Sequence, residues 1–161
     1  MFLTVHATAG AAVGALAGGP IGAFLLGVLS HAVIDIIPHG DEQLAPPCGG
    51  ATCTHRDEVR FLIRIAAIDG VVMLGVLAAL LQPWVTLPSW AVLAGIAGGV
   101  LPDVMQGLGS VLTRSRFFTG FKRVHDYIHV DIIPFETPVL LGMLTQLAAL
   151  TFFAGAYLGL S

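Results

Sequence analysis

The residues of this chain able to hold a cation or move a proton are six histidines and a scattered set of aspartates. His31 and Asp35 stand four residues apart, which on a helix turning about 100° per residue brings both onto one face. His39 and Asp41 follow just past Pro38, and His6 lies near the start of the chain. Asp69 sits among apolar neighbours in Ile68-Asp69-Gly70, and Asp103 directly follows Pro102. His125 and His129 repeat the four-residue spacing, with Asp126 and Asp131 beside them. Imidazole and carboxylate together suit zinc, with manganese or iron as alternatives. The expected metal ligands are therefore His6, His31, Asp35, His39, Asp103, His125 and His129. Asp69 and Asp41 are the carboxylates expected to take a proton from water. The competing readings are plain ones: a hydrogen-bonded structural pair for His31/Asp35, and an exposed polar loop for His125/His129. His55, beside Arg56 and Asp57, reads as a solvated loop residue.

These residues need elements to position them, and the composition says what kind. Of 161 residues, 56% are hydrophobic and 11% charged, against about 25% charged in a soluble domain. So apolar a chain has too little polar surface to face water. An all-α, polytopic membrane helix bundle follows, as one integral membrane domain over 1–161. A crossing helix needs about 20 apolar residues. Five segments offer themselves, over about 2–18, 20–37, 59–81, 89–108 and 138–160. Pro20 opens the second segment and Pro38 closes it. Pro46-Pro47 and Gly49-Gly50 break the first polar loop, and 109–135 reads as a second one. Gly10, Gly14 and Gly18 form a small-residue ridge that lets helices approach closely in lipid.

All seven Lys and Arg residues, Arg56, Arg60, Arg64, Arg114, Arg116, Lys122 and Arg123, fall on the side of the second-to-third and fourth-to-fifth connections. By the positive-inside rule that side is cytoplasmic. A multi-pass protein of the bacterial inner membrane with a cytoplasmic N-terminus is the expectation. The ionisable residues gather in the same cytoplasmic half. The first residues, Met1 to His6, lack the basic stretch of a signal peptide. A net charge of −3, with no basic stripe, argues against nucleic acid as a partner. Cys48 and Cys53 read as free thiols in a reducing compartment, with a zinc site as the alternative. Asp35-Ile36-Ile37-Pro38 recurs as Asp131-Ile132-Ile133-Pro134, an echo too short to support a repeat.

The run Gly27-Val28-Leu29-Ser30-His31-Ala32-Val33-Ile34-Asp35-Ile36-Ile37-Pro38-His39-Gly40-Asp41, with His6 before it and Gly99-Val100-Leu101-Pro102-Asp103 after it, resembles the predicted membrane-bound metal-dependent hydrolases of bacteria. That family is distantly similar to zinc-dependent phospholipase C. The resemblance implies His6, His31, Asp35, Asp103 and a later histidine as metal-site residues. It also implies hydrolysis at the membrane, and a lipid phosphoester is the expected substrate. Lys122, Arg123, Arg114 and Arg116 are placed to hold an anionic headgroup, and Phe117, Phe118 and Phe121 suggest a loop in the interface. Two other classes remain open. One is a divalent-metal or proton-coupled transporter, which would require a homo-oligomer. The other is a non-catalytic membrane scaffold with a structural metal clamp.

Overall fold

The computed structural model describes residues 1–40, 55–82, 88–112, 115–128, 132 and 137–160. Six helices are present, α1 (Leu3–Leu16), α2 (Pro20–Asp35), α3 (His55–Leu81), α4 (Trp90–Val111), α5 (Arg116–Asp126) and α6 (Val139–Leu160), with no strand among the described residues. The all-helical expectation holds. Three helices, α3, α4 and α6, are long and apolar enough to cross a membrane. The 14 residues of α1 and 16 of α2 are apolar but short, about 21 and 24 Å against a hydrocarbon core of about 30 Å.

Local chemistry sets the boundaries. α1 ends at the Gly18-Gly19-Pro20 step, and Pro20 occupies the first turn of α2, where a missing N–H costs nothing. Ser89 caps α4 by accepting the Val92 N–H at 3.2 Å. Pro102 lies inside α4 and leaves the Gly98 carbonyl without its usual helical donor. α5 is a departure from the expected loop over 109–135. Its apolar residues follow a helical period but are diluted by Arg, Lys, Thr and Gly, so the stretch has the composition of a loop and the pattern of an amphipathic helix.

α1, α2 and α4 pack backbone to backbone along a glycine seam. A Cβ on Gly10 would lie 2.4 Å from the Gly95 carbonyl oxygen, and one on Gly14 would lie 2.7 Å from that of Ala91. A Cβ on Gly27 would sit 2.3 Å from the same Gly95 oxygen, and one on Gly98 2.2 Å from that of Phe24. No larger side chain fits at these positions. The expected ridge is thus used at Gly10 and Gly14, while Gly18 faces open space. The buried set is rich in small and polar residues, with Ala7, Ala9, Ala11, Thr4, Thr8, His6, His31, Asp35 and Gln146 beside Val5, Ile34, Val92 and Tyr157, whereas Leu25, Leu29, Val71, Leu74, Leu140 and Phe152 lie outside. A water-soluble domain arranges these classes the other way round.

Candidate metal centre

Three helices bring four ligating side chains together beside the glycine seam. His6 comes from the second turn of α1, His31 and Asp35 from the last turns of α2, and Asp103 from α4 just after Pro102. One ligand atom from each lies within 4.8 Å of every other. His6 Nε2 is 3.0 Å from Asp35 Oδ1 and 3.9 Å from Asp103 Oδ2. His31 Nε2 is 2.9 Å from Asp35 Oδ2 and 3.8 Å from Asp103 Oδ1. His6 and His31 stack, with ring centroids 3.9 Å apart. His125, from the end of α5, places Nε2 3.2 Å from His31 Nε2, 3.7 Å from Asp35 Oδ2 and 3.6 Å from Asp103 Oδ1.

The donor set fits a divalent cation on three independent grounds. First, His31 Nδ1 lies 2.8 Å from the Gly99 carbonyl oxygen, which only accepts, so Nδ1 carries the proton and donates it there. Neutral His31 then turns the Nε2 lone pair on Asp35 Oδ2, and two lone-pair atoms at that distance repel unless a proton or a cation stands between them. A backbone carbonyl holding one ring nitrogen while the other faces the site is the usual support of a metal-binding histidine. Second, His6 is completely buried, its Nδ1 has no hydrogen-bond partner among the described residues, and its Nε2 faces only the carboxylates of Asp35 and Asp103. A buried imidazole so placed is costly without a ligand. Third, one ligand atom from each of the four side chains lies within 4.8 Å of every other, a convergence of the order needed around one ion, whose tetrahedral donors at about 2.1 Å stand about 3.4 Å apart.

Polar residues outside the cluster hold its parts in place. Gln106, one turn after Asp103, donates from Nε2 to Asp126 Oδ1 at 2.8 Å, tying α5 to α4 next to His125. Lys122 Nζ pairs with the same carboxylate at 2.9 Å. Partial burial acts to raise the Asp126 pKa, but the Lys122 ammonium and the Gln106 amide outweigh it and hold the carboxyl below its ordinary range. Gln146 of α6 is buried, accepts from the Phe2 N–H at 2.9 Å and donates to the His39 carbonyl at 3.1 Å. Gly40, at φ +67°, turns the chain there, and Gly142 lets α6 approach, since its Cβ would lie 2.2 Å from the His39 oxygen. Sequence reasoning passed over Gln146, Gln106 and Gly99. The one available signal was a lone amide inside an apolar span, as at Gln146.

Other expected site residues lie elsewhere. His39 is outside the four-residue group. Its Nδ1 donates to the Ile37 carbonyl at 2.7 Å, and its Nε2 faces the Met1 α-amino nitrogen at 2.8 Å. That amino group also lies 2.7 Å from Asp35 Oδ1. Asp69 reaches across from α3 to the N-terminus of α1, where its carboxylate accepts from the Leu3 N–H, the Thr4 N–H and the Thr4 hydroxyl. Its contacts among the described residues are with that first turn and not with the cluster, and a carboxylate there satisfies orphan amides at the positive end of the helix dipole. Asp41, His129, Cys48 and Cys53 lie outside the described residues. Compared with family profiles, curated proteins and solved structures, the chain has no match.

Proposed function

We propose that this chain is a membrane-embedded, metal-dependent hydrolase acting on a lipid phosphoester at the cytoplasmic leaflet of a bacterial inner membrane. One observation carries this reading. Three of the four side chains, His6, His31 and Asp35, are sealed, while the Asp103 side chain is 22% exposed, with the buried His125 beside it. A structural clamp is closed on all sides, and a site that turns over substrate keeps one side open. Zinc suits two imidazoles and two carboxylates best, and manganese and iron are compatible.

His6, His31, Asp35 and Asp103 would hold a divalent cation, which would supply Lewis acidity to a phosphoryl oxygen and so make its phosphorus more electrophilic. The chain's own residues do the rest. His6, His31 and Asp35 anchor the site from the sealed side, and Gly99 fixes the ring of His31. His125, buried beside Asp103, adds a further ring nitrogen to the donor set. Asp69, engaged in capping α1, is a positioning residue for His6 in this account. The apolar plug of Ala11, Ala12, Val92 and Tyr157, packed on Ile96 and Phe153, offers a cation no polar route onward, which weighs against a transporter.

Five spans, with short α1 and α2 sheltered by the longer helices, put every Lys and Arg on the cytoplasmic side. The site then opens at headgroup depth, where a phosphoester on a diacyl chain presents its reacting group. Release of alcohol or phosphate from phospholipids in mixed micelles, with added zinc or manganese, tests the reading. Wild type hydrolyses a phospholipid, and His31→Ala and Asp103→Asn abolish turnover. His125→Asn lowers turnover by about 10–100-fold, the range for a lost group supporting a metal site. Metal binding without turnover on any phospholipid leaves the clamp as the function, and turnover unchanged in all three variants refutes the assignment.

A further inference from the structure

We infer that α5 is a membrane-surface helix, and that its seating on an anionic leaflet tightens metal binding by delivering His125 as a fifth donor. The inference rests on the metal reading of the four-residue group. With 11 residues, α5 is about 16 Å long and cannot cross a bilayer. At about 100° per residue its side chains fall into three sectors. The inner sector carries His125 with Phe118 and Phe121. Phe118 packs near Gly109 of α4, and the Phe121 ring lies 6.1 Å from that of His125. The lateral sector carries Phe117 and Val124, which are 65% and 61% exposed, and Tyr127, just past the end of the helix and 59% exposed, falls beside the arginines. The outer sector carries Arg116 and Arg123, both exposed.

An apolar stripe beside a basic one is the pattern of a helix lying in the plane of an anionic membrane, with aromatic and aliphatic groups at the acyl boundary and guanidinium groups among phosphates. The aromatics and arginines belong to the same short helix, so one surface satisfies both. An acidic phospholipid leaflet is the occupant this charge and polarity select. A protein groove would take the apolar sector and leave the arginines without a complement.

The link to the site is direct, because the same helix ends in His125. α5 rests chiefly on α4, through the Gln106–Asp126 hydrogen bond, the approach of His125 to Asp103 at 3.6 Å and Phe118 against Gly109, among other contacts. The leaflet adds to these contacts in setting the height and rotation of α5. His125 Nε2 in turn converges on the donors of the other helices, 3.2 Å from His31 Nε2 and 3.6 Å from Asp103 Oδ1. The metal affinity of the site therefore reads whether α5 is seated.

The test measures zinc affinity by chelator competition for the full chain in nanodiscs of phosphatidylcholine, alone or with added phosphatidylglycerol. A nitroxide on Val124→Cys, in a Cys48→Ser/Cys53→Ser background, reports the depth of α5. The expected result is zinc binding about 10–100-fold tighter in the anionic discs, the range over which groups supporting a site change affinity, with the label moving into the acyl boundary. Arg116→Gln/Arg123→Gln removes the difference and keeps the basal affinity, while Arg116→Lys/Arg123→Lys retains it. His125→Ala removes the difference with the label still buried. Equal affinity in both lipids overturns the inference and leaves the metal site standing. A label in water in both lipids, or a difference that survives Arg116→Gln/Arg123→Gln, also overturns it. Absence of zinc binding in either lipid overturns the metal reading itself.

Discussion

His6 is the residue at which the metal reading makes its sharpest demand. Its ring is buried between Asp35 and His31 without a hydrogen bond of good geometry, so in a metal-free protein it contributes an unfavourable group. His6→Leu is therefore expected to leave the metal-free melting temperature unchanged or higher, and to remove its rise on metal addition. In wild type that rise corresponds to about 2.7 kcal/mol at metal one hundred times above Kd. Differential scanning fluorimetry in detergent checks it, and a variant with the full metal-dependent rise contradicts it. Asp69 has the opposite signature. Asp69→Ala removes a cap, costs about 0.5–2 kcal/mol and keeps metal binding, while Asp69→Asn costs less because an amide oxygen remains to accept. Loss of bound metal in Asp69→Asn would show that the residue belongs to the site. The His31/Asp35 pair was legible because helical periodicity alone decides it. Asp69 was read as a candidate base because a lone aspartate in an apolar span has two uses, a site or a helix terminus. Spacing along α3 does not reveal that the amides of α1 end beside it.

The seam of α1, α2 and α4 sets how closely the four ligands approach. Gly27→Ala would drive a methyl into the Gly95 carbonyl, and overpacking of this kind typically costs about 1–3 kcal/mol. Because Gly27 lies one turn before His31, the variant is expected to lose metal affinity as well as stability. Gly22→Ala, which meets open space in the same helix, is expected to change neither. Thermal melting and metal titration of the pair separate seam packing from helix propensity, and equal behaviour of the two would contradict this account. At this scale the sequence showed the ridge at Gly10 and Gly14, since four-residue glycine spacing has one common use in apolar helices. The Gly95, Gly98 and Gly99 half stayed hidden, because nothing along the chain says which glycines meet. The helix α5 escaped a reading by composition, although its apolar period was present.

Across the whole molecule, a buried core rich in small and polar residues, inside a mantle of exposed Leu, Ile, Val and Phe, is stable where the surroundings are apolar. That inversion follows from the composition, and so the helical class was legible from the first count. Helix length was less so, because Gly18-Gly19 and Pro38 hold the first two helices to 14 and 16 residues. The fold brings into one cluster residues separated by up to 97 positions, from His6 to Asp103. Which histidine stands beside that group, His125 and not His39, depends on how α5 and the turn after α2 pack, and sequence spacing carries no record of that. Gln146 fastens the turn after α2 to α6, and Gln146→Leu would leave the Phe2 N–H and the His39 carbonyl without this partner, at about 1–3 kcal/mol per buried group. A fall in melting temperature with metal stoichiometry retained is the expected outcome, whereas no fall would mean the amide has no structural part. The central claim is that His6, His31, Asp35 and Asp103 hold one divalent cation. The most direct measurement is metal content of the detergent-purified protein by plasma mass spectrometry, beside His31→Ala and Asp35→Asn. One equivalent of zinc, manganese or iron in wild type, lost in both variants, is the predicted result. Wild type without metal, even after reconstitution with divalent ions, or variants that retain the full equivalent, would contradict it.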